Sequence, residues 1–315
     1  MKIDFEKKLH MKRRKNSVFK ENFELSMLAL PGFLHMLIVC YLPMVGVIIA
    51  FKQFNPHLGM FASKWVGLDN FKFFFQSNDF VRIMRNTLLY GAEFLILDNL
   101  AAIAMAIILY NITSRKLLKF YQTAIILPKF MSAVLIAFIV YALLNPVSGI
   151  INQIAQLFGN EGKDWYAEPN YWPFILTVVH LWQIVGMSSI IYYACLMGID
   201  ETLFEAARID GANKWHEIKY IIVPEIMGLL CIQIILGVGS LVNGDFGLFY
   251  QTPMNVGVLY STTDIINTYV FRALQEATNM GRTAAVGLFQ SVSGLILVVA
   301  SNLIVKKISP DKSFF

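Results

Sequence analysis

The chain has 315 residues, of which 57% are hydrophobic and only 15% charged, with a formal net charge of +5 at pH 7 and a mean hydropathy of +0.57. A soluble domain of this length carries far more polar surface, so composition excludes a water-soluble protein and implies a polytopic membrane protein. The three cysteines, Cys40, Cys195 and Cys231, have no CxxC spacing, which argues against a disulfide framework or thiolate metal centre.

In chain order, residues 1–24 form a basic tail, residues 25–305 a single membrane domain and residues 306–315 a short closing tail. Six stretches reach the roughly 18 apolar residues that mark a membrane helix: 25–51, 87–110, 121–144, 171–199, 225–243 and 281–305. The first is too long for a signal-peptide core and lacks a small-x-small cleavage site, so it stays as a helix. With six spans both termini share one side. That side collects most of the Lys and Arg, including "KKLHMKRRK", Arg115, Lys116, Lys119, Arg208, Lys214, Lys219, Lys306 and Lys307. The positive-inside rule places it in the cytoplasm, and the basic tail then reads as a topology signal rather than a nucleic-acid or lipid patch.

The outer segments are uneven. Residues 52–86 contain Asn-Pro, glycines and many phenylalanines, which predicts a turn followed by a short amphipathic helix at the membrane surface. Residues 145–170 carry Glu161, Asp164 and Glu168, and residues 244–280 are rich in Gly, Thr, Asn and Tyr. Pro31, Pro43 and Pro128 fall within or near spans, and Pro173 opens the fourth. The Asn111 "NIT" triplet matches a glycosylation acceptor but falls on the cytoplasmic side.

Ionisable residues inside spans are functional candidates. Glu93 and Asp98 lie in the second span, Lys129 in the third and His180 in the fourth. At about 1.5 Å rise per residue, Asp98 and Lys129 reach similar depths in straight antiparallel spans. They are expected to form an ion pair that fixes packing, with Lys129 alternatively attracting substrate charge; His180 reads as a packing residue. In "LGVGSLVNGDF", Gly237 and Gly239 permit close backbone approach, Ser240 and Asn243 offer hydrogen bonds, and Phe246 offers an aromatic face.

The most informative stretch is "EAARIDGANKWHEIKYIIVP", Glu205 to Pro224. Asp200 can cap a short helix containing Leu203, Phe204 and Glu205–Ala207; Gly211 suits its left-handed terminus, and a second short helix over 212–220 leads to Pro224 opening the fifth span. A helix, Gly turn and helix between two spans suit docking into a partner's groove. The pattern Glu205-Ala206-Ala207, Gly211, Ile221, Val223 and Pro224 resembles the signature of permease subunits of binding-protein-dependent ABC importers, with Val223 where Leu is usual. "KWVGLDNFKFFF", "INTYVFRAL" and "AAVGLFQSVSGLILVVASNLIVKK" resemble the carbohydrate-uptake branch that serves oligosaccharides, including uronate-containing ones; "LPKF" departs from an expected "LPHF" at Lys129.

The resemblance implies an all-α, six-span permease in the bacterial cell membrane, with Leu203, Phe204, Glu205, Ala206, Ala207 and Gly211 forming a coupling helix on an ATPase. It implies a second permease subunit, an ATPase dimer, an extracytoplasmic solute-binding protein and an oligosaccharide substrate moved by alternating access. By similarity to maltose-type permeases, Gly239, Ser240, Asn243 and Phe246 would line the path. No nucleic-acid partner is implied. The chain has no GxxxxGK[ST] loop, and the resemblance assigns ATP and Mg to separate subunits, so it is not itself an enzyme. The alternatives are an importer for a non-sugar solute, an ion-coupled transporter using Glu93, Asp98 and Lys129, and a membrane scaffold.

Overall fold

The computed structural model describes residues 22–275 and 280–308. Residues 1–21 of the basic tail and 309–315 of the closing tail lie outside the described residues. Among the described residues, five helices are long and apolar enough to cross a membrane: Asn22–Phe51, Phe80–Tyr110, Pro169–Leu196, Lys214–Gly239 and Met280–Lys307. A sixth span results if Arg115–Phe130 and Ala133–Leu144, bent by 99°, are taken as one. The protein is thus an all-α multi-spanning membrane protein, apart from one two-residue ribbon pairing Lys52 with Trp65 and Gln53 with Lys64.

Local chemistry explains the irregularities. Pro128 cannot donate a backbone hydrogen bond, and the chain tightens to 3-10 geometry over Leu127–Phe130. It restarts at Ala133, where the Ser132 side chain accepts from Leu135 N. The first span loosens to a π turn over Leu37–Tyr41 and tightens again around Pro43. Pro224 lies inside the fifth span rather than opening it. A π turn over Ile218–Ile222 joins Lys214–Glu217 to Val223–Gly239, so the short helix expected over 212–220 is the span's first turns.

The second and fourth spans form the centre of the bundle. Gly186 allows that packing to extend to the third span: a Cβ there would sit 1.8 Å from the Ile125 carbonyl oxygen. Gly91 likewise admits the backbone of Leu241. Ala102, Ala106, Tyr192, Leu196, Phe204, Ile222 and Ile226 form a core at the end carrying the 201–217 hairpin. Tyr90, Phe94, Trp172, Leu176, Phe249 and Ile265 belong to a second core nearer the opposite end. There, the 52–86 segment folds as the ribbon, a turn of helix at Gly59–Ala62 and the helix Asp69–Phe75. Asn70 ties it down by donating to the Ala50 and Lys52 carbonyls.

Candidate functional site

The 201–217 hairpin is built as its residues dictate. The Asp200 carboxylate accepts from Thr202 N at 2.9 Å and starts the helix Glu201–Ile209. That backbone bond, then the Thr202 hydroxyl, holds the Asp200 carboxyl below its usual range. The helix ends at Gly211, whose φ of +80° favours glycine. Ala212 N donates back to the Ala207 carbonyl at 2.8 Å, and Asn213 caps the next turn through His216 N. Glu217, buried, binds Arg208 at 3.2 Å and Lys214 at 2.8 Å, locking the two arms together.

Glu205, Ala206 and Gly211 are exposed, and Ala207 is half-buried. Leu203 and Ile209 face outward with Trp215, Ile209 being 87% exposed. Phe204 points the other way: it is buried against Tyr110, with ring centroids 5.9 Å apart. The expected contact role of Phe204 is therefore corrected to an anchor that fixes the hairpin to the spans.

A cavity of about 580 Å³ lies among the second, fourth and fifth spans and the 243–249 segment. The fifth span's helix ends at Gly239, and Ser240 and Asn243 follow in a turn that presents them to this cavity. Gly239 and Phe246 do not line it. A Cβ on Gly239 would meet Val298 of the last span at 2.1 Å, and Phe246 stacks on Tyr250 at 5.0 Å and packs on Phe271 at 4.7 Å. Both, expected on the path, make packing contacts beside this cavity; Gly91, Gly237, which faces Leu95, and Gly244 are the glycines that line it.

The expected Asp98–Lys129 pair does not form. The bend at 127–131 carries Lys129 to an exposed position off the cavity. Asp98 instead meets His180, with Oδ2 3.0 Å from Nε2. His180 is buried and stacks on Phe94 at 3.7 Å. Glu93 accepts from the Thr177 hydroxyl at 2.7 Å and Asn99 from the Tyr192 hydroxyl at 2.6 Å. The second and fourth spans thus share a polar seam, and Asp98, Asn99, His180 and Tyr192 from it line the cavity. Sequence reading missed Tyr90, Asn99, Tyr192 and Gln233 as lining residues; polar side chains amid long apolar runs were the available signal.

The family described as "Binding-protein-dependent transport system inner membrane component" matches residues 83–310. Protein LplB of Bacillus subtilis is 32% identical over 95% of this chain and 93% of its own. The polygalacturonan/rhamnogalacturonan transport system permease protein YteP of the same organism is 31% identical over 91% and 89%. A bacterial ABC transporter involved in importing the acidic polysaccharide alginate has a chain that superposes with a TM-score of 0.84 at 29% identity, over 94% of this chain and 99% of that one. Match length, identity and superposition agree with the signature at 205–224. The chain therefore belongs to the inner membrane components of binding-protein-dependent transport systems, as a multi-pass, non-hydrolytic permease subunit of a carbohydrate-uptake ABC importer in the bacterial inner membrane, assembled with a paired permease, an ATPase dimer and an extracytoplasmic binding protein.

Proposed function

We propose that this permease passes oligosaccharides, including uronate-containing ones, through the cavity walled by Asp98, His180, Ser240 and Asn243. The hairpin bearing Glu205, Ala206, Ala207 and Gly211 faces the cytoplasm and receives the ATPase subunits. Both termini lie on that side, and the bent third segment counts as the sixth span. Alternating access then follows: ATP-driven approach of the ATPase subunits moves the hairpin, and Phe204 transmits that movement to the second and fourth spans through the core around Tyr192 and Leu196.

The observation that carries this reading is the cavity itself. It combines hydroxyl, amide and carboxylate groups with the rings of Tyr90, Phe94 and Phe249, the mixture that suits sugar hydroxyls and ring faces. A polygalacturonan permease and an alginate importer among the relatives support a uronate-bearing substrate, while the starch-degradation-product permease AmyD of Thermoanaerobacterium thermosulfurigenes supports neutral ones. The test is ATP turnover by the reconstituted importer, stimulated by its binding protein loaded with a uronic-acid or a neutral oligosaccharide. Stimulation by either sugar supports the reading, and a larger response to the uronic-acid sugar supports its acidic form. Stimulation only by an amino acid or phosphate ester overturns it.

A further inference from the structure

The fifth span's helix stops at Gly239, and the chain reaches the helix Phe246–Gln251 through a turn whose exposed residue Asn243 lines the central cavity. Where a helix stops, the backbone groups that follow lose their ladder partners, and away from water each needs another. Inside the turn, Ser240 N donates to the Gly237 carbonyl at 3.0 Å and Asn243 N to the Ser240 carbonyl at 2.8 Å. The carbonyls of the two residues flanking Asn243 are satisfied from outside the turn, by two amide side chains.

Gln290, buried on the last span, donates from Nε2 to the Val242 carbonyl at 2.7 Å and to Asn267 Oδ1 at 2.6 Å. Asn267, on the helix Ile266–Gln275, donates from Nδ2 to the Gly244 carbonyl at 2.6 Å. Both hydrogens of the Gln290 amide are thereby used, and the two amides form one chain that grips the turn at Val242 and at Gly244. Neither amide lines the cavity. They hold the turn from behind, while Asn243, between the two gripped carbonyls, lines the cavity itself.

Packing sets the height at which Gln290 meets the turn. Gln290, Gly294 and Val298 recur every four residues and so share one face of the last span. A Cβ on Gly294 would lie 3.0 Å from the Gly239 carbonyl oxygen, and one on Gly239 would lie 2.1 Å from Val298. The last span therefore crosses the end of the fifth span closely, just below the amide. Val242 is 1% exposed and packs in a core with Ile83, Ile266 and Val286, so its side chain occupies the core while its neighbour Asn243 lines the cavity. A fully satisfied buried amide network specifies one local geometry where apolar packing alone would tolerate several.

We propose that Gln290 and Asn267 are positioning residues for transport: they hold the 240–244 turn in the shape that presents Ser240 and Asn243 to the sugar, without touching the sugar themselves. This rests on the reading of the central cavity as the sugar path and adds what sets the geometry of its wall. The test uses the whole importer in proteoliposomes, with its binding protein and whichever of trigalacturonate and maltotriose stimulates ATP turnover, and counts sugars moved per ATP hydrolysed. Gln290→Met keeps the side chain's length and removes both donors; sugars moved per ATP are expected to fall about fivefold while stimulated ATP turnover stays within about twofold. Asn267→Leu is expected to act in the same direction, and the double variant to fall little further than the worse single, because both amides act on one turn. Ser291→Ala, beside Gln290 but exposed and bonded to the Gly287 carbonyl of its own helix, is expected to leave the ratio unchanged. An unchanged ratio in Gln290→Met, or a loss of transport and ATP turnover in equal proportion, overturns the positioning role. Loss of assembly in both amide variants overturns it as well, since the pair would then hold the fold rather than the site. Asn243→Ala on the same preparations separates the two proposals: a lowered ratio there beside an unchanged one in Gln290→Met removes only the positioning role, whereas an unchanged ratio in Asn243→Ala removes the path reading on which it rests.

Discussion

His180 Nε2 on the fourth span lies 3.0 Å from Asp98 Oδ2 on the second. Both side chains carry a further buried polar atom, His180 Nδ1 and Asp98 Oδ1, with no hydrogen-bond partner among the described residues. The pair is therefore each residue's main compensation for leaving water. Removing either partner alone is expected to cost about 1–3 kcal/mol, and His180→Ala combined with Asp98→Ala to cost less than the sum of the two. Lys129→Met, at an exposed position, is expected to stay within about 0.5 kcal/mol. Thermal unfolding of the detergent-solubilised variants checks all four; additive losses would separate the two residues.

Gly186 and Gly228 give opposite expectations for the same substitution. A methyl on Gly186 would collide with the Ile125 carbonyl, whereas nothing lies within 4 Å of one on Gly228. Gly186→Ala is expected to lose about 1–3 kcal/mol or more through displacement of the third segment. Gly228→Ala is expected to be neutral or slightly stabilising, since alanine is the better helix former. Yield of monodisperse protein and its melting temperature report on both.

On the hairpin, anchoring and docking separate by residue. Phe204→Ala empties a buried site and is expected to cost about 3–5 kcal/mol, releasing the hairpin from the spans. Glu205→Ala and Ile209→Ser alter exposed positions; the melting temperature is expected to hold while co-purifying ATPase falls several-fold. Quantifying ATPase per permease beside the melting curve distinguishes the two classes.

Within the cavity, Asn243→Ala is expected to raise the KM for sugar uptake about tenfold, the effect of about 1.4 kcal/mol, with little change in folding. Phe246→Leu should leave that KM within about twofold and lower stability instead, because its ring packs on Tyr250 and Phe271. Uptake kinetics in whole cells, corrected for permease abundance, decide the assignment.

How far the sequence reached depended on the kind of signal. Long apolar runs made the five uninterrupted spans legible, and Asp200 and Gly211 made the hairpin legible because capping and left-handed turns are written in single residues. The Asp98–Lys129 expectation failed for a geometric reason: depth was reckoned on a straight third span, and the 99° bend removes Lys129 from that register. Pro128 was visible, but the angle of its bend depends on packing against the fourth span. Gly239 and Phe246 lie off the cavity for a related reason. Motif order gives neighbourhood along the chain, whereas the turn after Gly239 decides which side chain meets the cavity. Family membership sets aside the ion-coupled transporter and scaffold readings.

The most direct test of the central claim is oligosaccharide uptake into proteoliposomes holding this chain, its paired permease and the ATPase subunits, with sugar-loaded binding protein on one face and ATP on the other. The account predicts uptake only when ATP is on the face carrying the 201–217 hairpin, and its loss in the Glu205→Ala, Gly211→Asp double variant. Uptake driven by a proton or sodium gradient without ATP, undiminished in that variant, would contradict it.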